Sequence, residues 1–170
     1  MKNLMMIMTL SLLSANTFAC SYSLVENFTS RIHGDYSSSI HQMQAAVAAI
    51  KVCSHSPEVL EYAAQRLGSR IRGDYSYSVR LSQELGKLCR NDSRCANAVV
   101  RAIGESIEGN YSYSVGMSNA IASVVRRNRF HSTKCAAMEA ISNAIHPGYS
   151  YSRSMNSTIV EIANFSVKMD

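Results

Sequence analysis

Apolar residues return along this chain at a spacing of four. Leu24, Phe28 and Ile32 form one row, Ala63, Leu67 and Ile71 a second, Val99, Ile103 and Ile107 a third, and Ala137, Ile141 and Ile145 a fourth. A spacing of four keeps each row on one face of an α-helix. Downstream of each row lies a pair three apart: Ala46 and Ala49, Leu85 and Leu88, Ile121 and Val124, Ile159 and Ile162. That spacing is helical too. The pattern predicts eight amphipathic helices of roughly twelve to sixteen residues, taken in pairs.

Between the members of each pair the same string recurs: GDYSSSI at 34–40, GDYSYSV at 73–79, GNYSYSV at 109–115 and PGYSYSRS at 147–154. Its first tyrosines, Tyr36, Tyr75, Tyr111 and Tyr149, lie 39, 36 and 38 residues apart. Paired helices at such a period predict an all-α fold of four tandem helical hairpins, forming a short α-solenoid or a curled bundle. The units run over about 20–56, 57–92, 93–130 and 131–170 of a single repeat domain. Short connectors agree: Ser56 before Pro57 suits a helix start, and Arg90 to Ser93 suits a stop followed by a cap. The period approaches that of tetratricopeptide repeats, but their Trp, Gly, Tyr and Pro pattern is missing, so no family is assigned. A competing α/β repeat draws on YSYSV, which alternates with period two.

The recurring string also carries the candidate chemistry. Gly34, Gly73 and Gly109 are expected to end the first helix of their units in a left-handed conformation, with a serine capping the second. A local hydrophobic staple does not explain the tyrosines. The positions they would face are His41, Arg80, Gly116 and Ser154, or Met43, Ser82, Ser118 and Asn156, which are mostly polar or small. Two arrangements follow. The rings stack in a buried ladder between units, or Tyr36, Tyr75, Tyr77, Tyr111, Tyr113, Tyr149 and Tyr151 line one edge as an exposed stripe. Tyr with Ser makes an effective recognition surface, because Tyr offers large amphipathic area at low entropy cost and Ser offers adaptable hydrogen bonds. One tyrosine of each pair being structural and the other exposed reconciles the two, with Tyr77, Tyr113 and Tyr151 the expected contact set. His33, Arg72, Glu108 and His146 stand three before the first tyrosines as a variable rim, and Arg72 and Arg80 join the candidate ligand-binding residues. Glu105 and Glu108, one turn apart, read as a solvated helix face.

The leader sets the compartment. Lys2, an apolar run from Leu4 to Leu13 and a small-residue exit ending at Ala19 read as a secretory signal peptide over 1–19, of bacterial character. Its apolar run is about half what a bilayer-spanning helix needs, so no transmembrane segment is expected. Cleavage after Ala19 leaves Cys20 first, which opens a lipid-anchor alternative, although Thr17 stands where bacterial lipoproteins carry Leu. Export makes disulfides the expected state of the five cysteines. Cys89 with Cys95 and Cys20 with Cys53 are the candidate pairs, leaving Cys135. No cofactor or metal is expected, because paired CxxC or HxxxH spacing is lacking.

The remaining composition narrows the function classes. A chain of 170 residues with 46% hydrophobic and 17% charged side chains supports one full core. Its formal charge of +5 permits an anionic partner without requiring one. Export and so small an excess argue against nucleic acid. No GxSxG, HExxH, Walker loop or GxGxxG occurs. The expected function is a secreted or periplasmic binding module whose YSYS edge meets a protein or an anionic glycan. The alternatives are a secreted hydrolase or enzyme inhibitor, marked by a concave pocket with a His and a carboxylate within hydrogen-bond reach, and a purely structural envelope protein.

Overall fold

The computed structural model describes residues 20–170, so the signal-peptide assignment at 1–19 lies outside the described residues. Eight α-helices follow in order: α1 (Tyr22–Thr29), α2 (Ser38–Ile50), α3 (Pro57–Gly68), α4 (Ser78–Leu85), α5 (Ser93–Glu105), α6 (Tyr113–Asn128), α7 (His131–Asn143) and α8 (Tyr151–Ala163), with a 3-10 turn at Lys51–Cys53. The chain is all-α. Among the described residues there is no strand, and the sole β-type pairing is an isolated bridge from Phe130 to Lys168. The YSYSV segments therefore open helices α4 and α6 instead of forming strands.

The helices form two layers. The first helices of the hairpins pack in chain order, α1 on α3, α3 on α5 and α5 on α7, and the second helices do the same through α2, α4, α6 and α8. One apolar core runs between the layers from Val25 to Ile162. Ala63, Leu67, Val99, Ile103, Ala137 and Ile141 from the spacing-four rows are fully buried within it. Phe28, Leu24 and Ile145, at the two ends of the row of units, are only half-buried. Two disulfides clamp the edge opposite the motif turns, Cys20–Cys53 and Cys89–Cys95, with Cα atoms 5.4 and 5.7 Å apart. Cys135 is free. The pairing with Cys53 and a thioether lipid are alternative fates of the Cys20 sulfur. No helix of the described residues is long and apolar enough to cross a membrane.

Close approach between units dictates the small residues. A Cβ placed on Gly34, Gly73 or Gly109 would overlap the backbone carbonyl of Arg70, Ser106 or Ala144 respectively, in the following unit. In the fourth unit the equivalent position is Pro147. The expected left-handed conformation holds for Gly34, at φ +82°, but not for Gly73 or Gly109. Their requirement is space for the neighbour, since φ lies outside the region that favours glycine. At the α6–α7 and α4–α5 connectors, Arg129 and Asn91 take left-handed φ of 58°. Asp92 then caps α5 by accepting from the Cys95 amide at 3.0 Å, the stop-and-cap expected there.

Candidate functional site

The four motif turns share one backbone frame. The amide of the second motif serine donates to the carbonyl of the first tyrosine in each: Ser39 to Tyr36 at 3.0 Å, Ser78 to Tyr75 at 3.0 Å, Ser114 to Tyr111 at 3.1 Å and Ser152 to Tyr149 at 3.1 Å. The serines do not cap in the expected way, because no motif serine makes a side-chain cap bond at the start of α2, α4, α6 or α8. The second serine instead reaches back across the turn. Ser114 and Ser152 donate their hydroxyls to the carbonyls of Glu108 and His146, each at 2.6 Å, and Ser39 Oγ accepts from the Gly34 amide at 3.2 Å. Ser39, Ser78 and Ser114 are fully buried. Ser78 is the exception in bonding, its buried hydroxyl having no protein partner, and Ser82 one turn on is the same.

This frame decides where the rings go. The first tyrosine of the string points outward: Tyr36 is 61% exposed, Tyr111 39% and Tyr149 49%. Tyr75 is half-buried, with the Arg72 guanidinium 5.0 Å from its ring centroid. The second tyrosines, Tyr77, Tyr113 and Tyr151, are half-buried, and Tyr77 packs on the core. In the third and fourth units the division of labour is therefore the reverse of the one expected, while Tyr75 and Tyr77 are both half-buried. The second position opens a helix whose next turn faces the core, whereas the first sits at the outer bend. No stacked ladder forms, since the aromatic pairs among the described residues are Tyr22 with Tyr62 and His33 with Tyr36.

The rim residues His33, Arg72, Glu108 and His146 are all exposed, as is Arg80. Arg72 lies 3.9 Å from Asp74, a loose pair that leaves its guanidinium half in solvent. The edge thus alternates rings, hydroxyls and charges of both signs.

The outer face of the α1, α3, α5 and α7 layer holds grooves that the sequence reading passed over. The one between α5 and α7 has a volume of about 420 Å³ and is lined in part by Arg101, Glu105, Glu139 and His146. Another, about 400 Å³, lies between α3 and α5 and ends at Arg72 and Glu108 on the rim. Glu105 lines both, so it is a groove residue as well as a solvated one. Small residues were the available signal: Gly68 meets Ala102 and Gly104 meets Ala140 where the helices cross. His146 shares its groove with Glu105 and Glu139 but hydrogen-bonds to neither through its ring.

Between α1 and α3 an ion pair bridges the helices, beside a groove of about 420 Å³ lined by Tyr22, Glu58, Glu61, Tyr62 and Gln65. Arg66 donates to the two oxygens of Glu26 at 2.7 and 2.9 Å, and the Tyr62 hydroxyl donates to the same carboxylate. Hydrogen bonds from Arg66, then from Tyr62, lower the Glu26 pKa to about 2, and the same contacts raise those of Tyr62 and Arg66. No group of three or more His, Cys, Asp or Glu side chains suited to a metal occurs among the described residues. No family model, no curated protein and no solved structure matches this chain.

Proposed function

We propose that this protein is an exported helical-repeat binding module, which meets a protein or an anionic glycan through its tyrosine-bearing turns. The observation that carries the reading is the exposure of Tyr36, Tyr111 and Tyr149 at equivalent bends of one repeated backbone frame. Rings held on fixed turns lose little freedom on contact, so more of their buried area appears as affinity. Arg72 and Arg80 favour an anionic surface. The leader-like segment at 1–19 and the two disulfides support export.

The test is a triple variant, Tyr36→Ser with Tyr111→Ser and Tyr149→Ser, in the oxidised chain without residues 1–19. Retention on dextran sulfate and enrichment of partners from a displayed protein library are measured against the wild type. Loss of both with unchanged helicity and melting supports the turn edge. Retention and enrichment equal to wild type would place recognition elsewhere on the molecule.

A further inference from the structure

At the register where an ion pair and a tyrosine bridge α1 and α3, the α5–α7 groove carries different side chains. Tyr62 and Arg66 stand thirteen and nine residues before their motif tyrosine, and the equivalent residues before Tyr149 are Ala136 and Ala140. Glu26 stands ten before Tyr36, where the third unit has Arg101. In the first groove, then, an arginine from α3 and a carboxylate from α1 satisfy each other beneath a tyrosine. In the other, Arg101 stands in the place of Glu26, alanines stand in the places of Arg66 and Tyr62, and the carboxylates are Glu105 on the same helix and Glu139 on α7.

What remains is an open groove with solvent-exposed charged walls. A Cβ on Gly104 would fall 2.6 Å from Ala140 Cβ, so the two helices meet closely, and small side chains form the floor. Arg101, Glu105, Glu139 and Asn143 line it, and none of their side chains takes part in the hydrogen bonds or ion pairs found among the described residues. The volume, about 420 Å³, falls in the range of small-ligand sites. A ligand of one charge sign would leave either the arginine or the glutamates partly desolvated and unpaired, which is costly.

We propose that this groove binds a short peptide bearing both a carboxylate and an ammonium group. The carboxylate meets Arg101 as Glu26 meets Arg66, a pairing in which the guanidinium fork supplies two parallel donors. The ammonium lies toward Glu105 and Glu139, the peptide body covers Ala136 and Ala140, and Asn143 offers an amide to the backbone. The site is separate from the exposed tyrosines and stands whether or not they bind a partner.

The probe is the dipeptide lysyl-glutamate, titrated into uniformly nitrogen-15-labelled oxidised protein, with acetate and methylamine as single-charge controls. At about 10 mM even a millimolar site is nearly saturated. Saturable amide shifts at Gly104, Ala136 and Ala140 are expected, at least roughly tenfold weaker in affinity for either control, a difference of about 1.4 kcal/mol. The variant Arg101→Glu, Ala136→Tyr, Ala140→Arg copies the Glu26, Tyr62 and Arg66 arrangement into the groove and should abolish the shifts; Arg101→Glu by itself, a surface change, should weaken them at least tenfold. Absence of saturable shifts at these amides in the wild type, or equal affinity in Arg101→Glu, overturns the proposal.

Discussion

Glu26 is one residue at which solution conditions reach the fold. Its carboxyl titrates near 2 in the folded chain against an ordinary 4.5, so the folded state holds the carboxylate form more tightly than the unfolded state does. The stabilisation is present above about pH 4.5 and is lost as pH falls through the folded value near 2. Glu26→Gln should therefore flatten the decline of melting temperature across that window and leave the profile between pH 6 and 8 parallel to wild type, as followed by circular dichroism. Two other residues give a paired comparison. Ser114→Ala strips a hydrogen bond from the Glu108 carbonyl and should cost about 1 kcal/mol in urea unfolding. Ser78→Ala removes a buried hydroxyl that has no protein partner and should be neutral or stabilising. The sequence shows these serines as equivalents. It could not show that one is satisfied and the other not, because the difference lies in the carbonyl geometry of each turn.

Helix identity was legible from the apolar spacing, while helix extent was less so. The pattern through Leu85 and Leu88 suggests one continuous helix, yet α4 ends at Leu85 and Leu88 is buried from a following turn. Gly86 lies at that end, its carbonyl accepting from Arg127 of α6 at 2.6 Å, a distant partner that a local pattern cannot contain. The disulfides were legible because repeat coordinates put the cysteines on one edge. Their contributions should differ. Cys20–Cys53 closes a separation of 33 residues and Cys89–Cys95 one of 6. In the chain-entropy account these correspond to about 3.7 and about 2.2 kcal/mol. Thermal melts of the two paired Cys→Ser variants should show the larger loss for Cys20 and Cys53.

At the scale of the whole molecule, the candidate edge was visible in the sequence, but the choice between tyrosines was not. Alternation within YSYS marks two ring positions without saying which faces the core, and that depends on where the second helix begins. Tyr77→Ser should cost about 1–2 kcal/mol of stability through lost apolar contact, against little change for Tyr36→Ser, as read by urea midpoints. Contacts between successive units are also what make Gly73 and Gly109 indispensable. Either changed to Ala should destabilise by about 1–3 kcal/mol. Pro147 takes this rule in another direction. A hairpin duplicated by recombination could be spliced after residue 56, 92 or 130, since each junction there retains a glycine to receive it. Appended behind α8, the same hairpin would meet the ring of Pro147 where the other three units present a glycine.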